Sequence, residues 1–207
     1  MANDQSSHLG IRPLRNRFGF YQVNYYRANT GKDIFLYQPV VRNNSGQVQV
    51  AAVGVDASGI LGVAVGFLDT NKASLPSGMT ALDQGAYLPS STDAYVAVAD
   101  DPNQLFVAEA DTGGTQIGTA LSAGQTIHFT YLATTGNTTT GIANALLDAS
   151  TLAADTGGIF TLIDPWDIVN QDGTTNDVTV NFAKWVVKIN AHQNTQISGY
   201  KLVDRPS

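Results

Sequence analysis

The sequence contains no cysteine in its 207 residues. This absence excludes disulfides, thiolate metal sites and cysteine nucleophiles. No apolar run approaches the ~20 consecutive residues that a membrane-spanning helix requires, so we expect no membrane partner. The segment 1–15 also lacks the apolar core of a signal peptide. We therefore expect the protein to stay in the cytoplasm in which it is made.

Lysine and arginine are absent from the long stretch 73–183, whereas aspartate and glutamate occur there twelve times. Six of the eleven basic residues lie near the start of the chain: Arg12, Arg15, Arg17, Arg27, Lys32 and Arg42. Such a surface repels phosphate backbones, so the sequence predicts no nucleic-acid partner. Two interpretations of the basic head stay open: it contacts an acidic partner or neighbouring copy, or the solvated surface is simply uneven in charge.

Short alternating runs with turn signals about every ten residues dominate the rest of the chain. With 43% hydrophobic and 14% charged residues, the composition is that of a folded protein. The pattern predicts an all-β fold, an antiparallel sandwich or barrel of about nine to eleven strands with an extended N-terminal arm. We expect the arm over 1–17 and one β-rich domain over 18–207. Two sublobes around a loop-rich junction near 70–93 are the alternative.

Four local patterns give sharper expectations. The stretch 94–111 predicts two strands folded back on a type I turn at 101–104. Helical spacing of apolar residues predicts a short helix over 142–152, and the long alternation over 178–190 predicts a strand with a β-bulge near its middle. Gly62 and Gly66 are spaced as in a strand that packs closely against another backbone.

The triplet Asp-Thr-Gly occurs twice, beginning at Asp111 and at Asp155. Aspartic proteases use two such triplets to bring paired carboxylates together around one water. Here the triplets are close in sequence, both precede a second glycine, and neither follows a bulky apolar pair. Turn formation accounts for both. We expect no enzymatic activity, and an aspartic-type hydrolase, in which Asp111 and Asp155 would meet, remains the remote alternative.

The residue types that bind metals are scattered. The three histidines share no local spacing: His8, His128 and His192. Three aspartates after the middle of the chain lack the regular alternation of a calcium loop, which leaves a calcium site there open: Asp164, Asp167 and Asp172. The sequence therefore predicts no catalytic, cofactor-binding or metal-ligating residues.

The N-terminal arm is the candidate binding element. Residues 1–17 are polar and aperiodic, which is typical either of a frayed terminus or of a segment that orders on a partner. Three arginines within six residues, followed at once by aromatic residues, favour a docking arm. The candidate capsid- or neighbour-binding residues, given the resemblance described next, are Arg12, Arg15, Arg17, Phe18, Phe20 and Tyr21.

Four blocks in the second half of the chain carry a family resemblance. They are VADDP at 98–102 leading to Phe106, NTTTGIA at 137–143, LDASTLA at 147–153 and WVVKINAH at 185–192. In this order they resemble tailed-bacteriophage head structural proteins, which are encoded near the major capsid protein and act as capsid decoration or cement proteins. The resemblance covers about half of the chain, departs over 160–176 and does not extend to 1–93.

The resemblance implies a non-enzymatic virion structural protein, without cofactor, on the capsid exterior after assembly in the host cytoplasm. Its expected partners are the major capsid protein and further copies of itself, a trimer before a dimer. Deleting residues 1–17 is expected to weaken capsid binding and leave the fold intact. The alternative function is a tail or surface adhesin that binds glycan or calcium.

Overall fold

The computed structural model describes residues 9–14, 21–53, 59–71, 87–111, 123–153, 157–166, 175–179 and 181–195. Within them, eleven strands form two antiparallel sheets of six and five strands. The predicted all-β class is confirmed, and the architecture is the sandwich. No helix in this part of the chain is long and apolar enough to cross a membrane.

The strands follow one another with loops and turns between them. In chain order they are β1 (Arg12–Pro13), β2 (Val23–Arg27), β3 (Pro39–Arg42), β4 (Val48–Val50), β5 (Gly62–Leu68), β6 (Tyr95–Ala99), β7 (Leu105–Glu109), β8 (Thr126–Gly136), β9 (Ala143–Ala153), β10 (Phe160–Pro165) and β11 (Lys184–Ile189). The larger sheet has the order β1-β7-β11-β10-β8-β9, and the smaller sheet has the order β2-β6-β5-β3-β4.

The larger sheet carries the main core on one face. In β11 the side chains of Trp185, Val187 and Ile189 are buried, while the intervening residues are only partly covered. This period of two is the burial pattern of a strand with one face on a core. Phe129 and Phe160 meet edge to face in the same cluster, with ring centroids 6.4 Å apart.

The smaller sheet holds a second cluster, built from β-branched and small residues such as Val40, Val96 and Val98. The sheets are also joined directly. Ile60, before β5, forms a parallel bridge with His192, after β11. Residues of the smaller sheet, among them Val63, belong to the main core. The two sheets therefore share one hydrophobic interior in addition to the second cluster.

The stretch 94–111 contains the two predicted strands, β6 and β7, and the predicted turn, but the strands do not pair with each other. β6 lies between β2 and β5, whereas β7 lies between β1 and β11. The hairpin prediction was therefore wrong. The turn at 101–104 is a corner that carries the chain from one sheet to the other, and both strands bury their small side chains against different neighbours.

Two further expectations were wrong. Residues 142–152 form most of β9 and no helix, because Ala143, Ala145 and Leu147 alternate inward against β8. The long strand over 178–190 is shorter than predicted and starts at Lys184, since Phe182 adopts a φ of 60° that interrupts the extended chain. The bulge was predicted near the middle of this strand. The pairing of β11 with β10 does contain a register shift, but the shift lies in β10, between Leu162 and Asp164.

The predicted arm over 1–17 is partly integrated into the sandwich. Arg12–Pro13 pairs with β7 as the outermost strand of the larger sheet, and Ile11 is fully buried in the main core. Residues 1–8 and 15–17 lie outside the described residues. Deleting 1–17 would remove a strand and a core side chain, so the expectation that the deletion leaves the fold intact does not fit this structure.

Candidate interaction surface

The corner at 100–104 organises one end of the sandwich. The Gln104 N–H donates to the Asp101 carbonyl at 2.9 Å, and the Asn103 N–H donates to the Asp101 side chain at 2.8 Å. An aspartate at the first position and a proline at the second favour this turn locally. The corner connects β6 of the smaller sheet directly to β7 of the larger sheet.

Both flanks of the basic aromatic segment 15–20 are attached to this corner. On one side the Leu14 N–H donates to the Leu105 carbonyl at 2.8 Å, and the buried Gln104 amide donates to the Leu14 carbonyl. On the other side Val23 pairs with Ala99 at the end of β6. Leu14 and Val23, the described residues on either side of segment 15–20, therefore lie at the same end of the sandwich.

Two of the six predicted binding residues are described. The Arg12 guanidinium lies 4.9 Å from the ring centroid of Tyr37, and its Nε donates to the Leu9 carbonyl at 3.0 Å. Arg12 is thus engaged within its own chain. Tyr21 is 37% exposed just before β2. The other four lie outside the described residues: Arg15, Arg17, Phe18 and Phe20.

Strand β2 is the outermost strand of the smaller sheet and presents tyrosine to solvent. Tyr25 is 48% exposed within β2, and the exposed Tyr21 lies four positions earlier in the chain, two residues before the strand begins. A parallel bridge between Ala28 and Val48 brings β4 against the end of β2. Among the described residues, no strand pairs with the outer edge of β2 over 23–25, and we name residues 21–25 the tyrosine edge.

A buried carboxylate fixes the inner face of the same strand. Asp100 is almost fully buried and accepts hydrogen bonds from Asn24 Nδ2 at 2.9 and 3.1 Å and from the Tyr26 hydroxyl at 2.5 Å. Burial, together with the hydrogen bond to Asp100, raises the pKa of Tyr26 to about 12. Neutral donors therefore hold this carboxylate, and they fasten β2 to the corner.

His192 lies beside this carboxylate. It is 1% exposed, and its Nδ1 accepts a hydrogen bond from the Asn194 N–H at 3.0 Å. Burial lowers the pKa of His192, and the negative charge of Asp100 offsets part of that effect. Burial thus disfavours the charged imidazole at the point where the loop after β11 crosses the start of β5.

A shallow cleft of about 280 Å³ opens next to the corner on the outer face of the larger sheet. Its lining includes Thr161 and Lys188, which are cross-strand neighbours in β10 and β11. Lys188 Nζ donates to the Asn103 side-chain carbonyl at 3.0 Å. The cleft is lined mainly by amide, hydroxyl and ammonium groups, with Ile163 as an exposed apolar neighbour.

The other described residues considered for chemistry belong to different strands of the larger sheet or to their ends. Asp111 accepts a hydrogen bond from the Ala149 N–H at 2.9 Å, which ties the end of β7 to β9. Asp164 lies in β10, and His128 lies in β8. Among the described residues, no three histidine or carboxylate side chains are grouped to hold a metal ion. The remaining predicted candidates lie outside the described residues: His8, Asp155, Asp167 and Asp172.

Comparison with known proteins adds no relative. No protein-family model, no curated protein and no solved structure matches this chain.

Proposed function

We propose that this chain is a non-enzymatic virion structural protein that binds the outside of a tailed-phage capsid and stabilises contacts between major capsid protein subunits. The ordered resemblance over 94–192 supports the proposal, and an all-β sandwich suits a role as a rigid clamp. The acidic stretch 73–183 disfavours contact with packaged DNA. Repetition by capsid symmetry would multiply weak contacts of each copy.

The observation that carries the proposal is the double attachment of the basic aromatic segment 15–20. Arginine and large aromatic residues are enriched at protein interfaces, where they act as anchors. Because Leu14 and Val23 hold both flanks at the corner, less conformational freedom is lost when the segment binds a capsid subunit. The segment carries two of the eleven basic residues of a chain whose net charge is −6.

The test is co-sedimentation of the purified full chain with capsids assembled from the major capsid protein of the same genome. Saturable pelleting at a fixed ratio to the capsid subunit is expected. The double substitution Arg15→Ser and Arg17→Ser should weaken binding about tenfold, which corresponds to about 1.4 kcal/mol. Substitution replaces deletion here, because a cut at 17 would also remove Ile11 and β1.

The matched control is the double substitution Lys32→Ser and Lys184→Ser, which removes the same charge elsewhere in the chain. The affinity of this control for capsids should stay within about twofold of that of the parent protein if binding depends on where the charges lie. A general effect of the lost charge would weaken both variants equally. Absence of pelleting by the parent protein would refute the capsid role.

The second candidate is a surface adhesin that binds a glycan, and the cleft beside the corner favours it. Hydroxyl, amide and ammonium groups converge there with an exposed isoleucine, a combination that can bind the hydroxyl-rich and apolar faces of a sugar. If the chain does not pellet with capsids, sugar binding measured on the parent protein and on Lys188→Ala decides whether this candidate takes its place.

A further inference from the structure

The tyrosine edge has a defined set of outward backbone groups. In an antiparallel pair, residues alternate between facing the neighbouring strand and facing away from it. The Ala28 N–H donates to the Ala94 carbonyl, and the register continues through Tyr26 opposite Val96 and Asn24 opposite Val98. These residues therefore face β6. Val23 and Tyr25, which alternate with them, direct their N–H and C=O groups away from the sheet.

The sequence of this edge reads nearly the same in both directions. Residues 21–25 are Tyr-Gln-Val-Asn-Tyr, so an aromatic, an amide and an aliphatic side chain are followed by an amide and an aromatic. If two copies pair antiparallel about a two-fold axis at Val23, each Tyr21 faces a Tyr25 and each Gln22 faces an Asn24. Aromatic cross-strand pairs stabilise such ladders. The backbone hydrogen-bonding groups of the two copies also match, because Val23 and Tyr25 both direct their N–H and C=O groups outward.

The surroundings of the edge favour the same partner. The segment 21–27 contains no acidic residue, and its one cation, Arg27, is held by Asp93 at 2.6 Å. Two copies can therefore approach without placing unpaired like charges against each other. Asn24 is already fixed by Asp100, which orders the strand before association. The bridge between Ala28 and Val48 limits the open part of the edge to the symmetric segment.

We propose that a second copy of this chain pairs with the tyrosine edge in an isologous antiparallel ladder centred on Val23. The two five-stranded sheets then form one continuous ten-stranded sheet across the dimer. The pairing closes with two copies and removes an exposed strand edge that otherwise invites indiscriminate association. The inference rests on the proposed function only in placing the dimer on the capsid surface. Dimerisation itself can be measured without capsids.

Because the chain contains no cysteine, a single introduced cysteine can form a disulfide only with the same cysteine of a second copy. This gives a direct test of the pairing. Residues paired at the centre of the ladder lie about 5.5 Å apart between Cα atoms, within the range of a disulfide. Val23→Cys should therefore form a covalent dimer under mild oxidation. Tyr25→Cys is the matched control, since its two copies lie about 14 Å apart along the strands and should remain uncrosslinked.

Sedimentation velocity of the full chain provides the second measurement. The parent protein should be a dimer, and Tyr25→Lys should weaken association at least tenfold, because an edge lysine blocks strand addition. Leu132→Lys, at a similarly exposed position in β8, should dimerise normally. A monomeric parent protein without a Val23→Cys crosslink, or equal crosslinking of Tyr25→Cys, would overturn the inference.

The two proposals fail separately. A monomer that still pellets with capsids overturns only the self-pairing, and loss of pelleting by monomeric Tyr25→Lys would then assign the edge to the capsid protein. A dimer that does not pellet leaves the tyrosine edge in place and removes the capsid role.

Discussion

Single positions in this sandwich are constrained by backbone contact as much as by side-chain packing. At Gly62, the first residue of β5, an added Cβ atom would lie 2.2 Å from the Ala99 carbonyl oxygen. That carbonyl belongs to the neighbouring strand and cannot move alone without disturbing the ladder. At Gly66, four residues later in the same strand, an added Cβ atom would have its nearest neighbour, the Ala97 Cβ atom, at 3.7 Å. Only the first glycine was therefore needed for close approach, although the sequence spacing treats the two alike.

We expect Gly62→Ala to lower the free energy of unfolding by about 2 to 3 kcal/mol, because β5 and β6 must separate to admit the methyl group. Gly66→Ala is the control and should change it by less than about 1 kcal/mol. Urea unfolding of the three proteins measures both values. Equal destabilisation by the two substitutions would contradict the close approach at Gly62.

At the scale of elements, the corner joins three parts of the chain that are distant in sequence. Asp100 follows β6, its donors Asn24 and Tyr26 lie in β2, and His192 follows β11. The bridge from His192 to Ile60 also links the larger sheet to the start of β5. His192 therefore lies where both sheets meet, beside the carboxylate that holds the outer strand.

This arrangement predicts the direction of an acid effect. The pKa of His192 in the folded protein lies below its usual 6.5, so the unfolded chain binds the proton more tightly. The free energy of unfolding should then be highest above about pH 6.5 and fall as the pH drops below it. His192→Gln should show a smaller fall between pH 7 and pH 5, measured by urea unfolding. An unchanged slope in the variant would argue against this role of His192.

Local patterns located most strands but did not determine their partners. The two strands predicted within 94–111 are present as β6 and β7, and the proline turn at 101–104 formed as expected. The two strands around that turn nevertheless belong to different sheets, since β6 pairs with β2 and β5, whereas β7 pairs with β1 and β11. Small residues in 142–152 fit either a helix or a strand, and only contact with β8 decides between them.

The candidate surface was predictable in part for the same reason. Arginine and aromatic density marked Tyr21 and the segment before it. The partners that order the adjacent strand are invisible locally, since Asn24 and Tyr26 lie 76 and 74 positions from Asp100. The near-symmetry of 21–25 is present in the sequence. It indicates self-pairing only when β2 is known to be an outer strand of its sheet.

For the whole molecule, the shared interior argues against two independent sublobes. Val63 and Ala99 of the smaller sheet pack in the main core with Trp185, and backbone bridges cross between the sheets at Ile60 and Leu36. Separating the sheets would expose this interior on both sides. Strong coupling of this kind favours a single cooperative transition.

We expect one transition on urea unfolding, with the same midpoint by tryptophan fluorescence and by far-UV circular dichroism. Buried Trp185 reports on the larger sheet, whereas circular dichroism reports on strands of both sheets. Two separated transitions by circular dichroism would instead support the sublobes around 70–93.

The position of β1 and β2 at sheet edges has a consequence during synthesis. Both pair with strands made much later, since Tyr95, which pairs with Arg27, follows it by 68 residues. At about 5 to 20 residues per second, roughly 3 to 14 seconds pass between the translation of the two strands. A nascent chain therefore carries its tyrosine-rich strand unpaired while the ribosome completes the middle of the protein. Strands β1 and β2 are made before their partners and can join the sheets only after β6 and β7 have emerged.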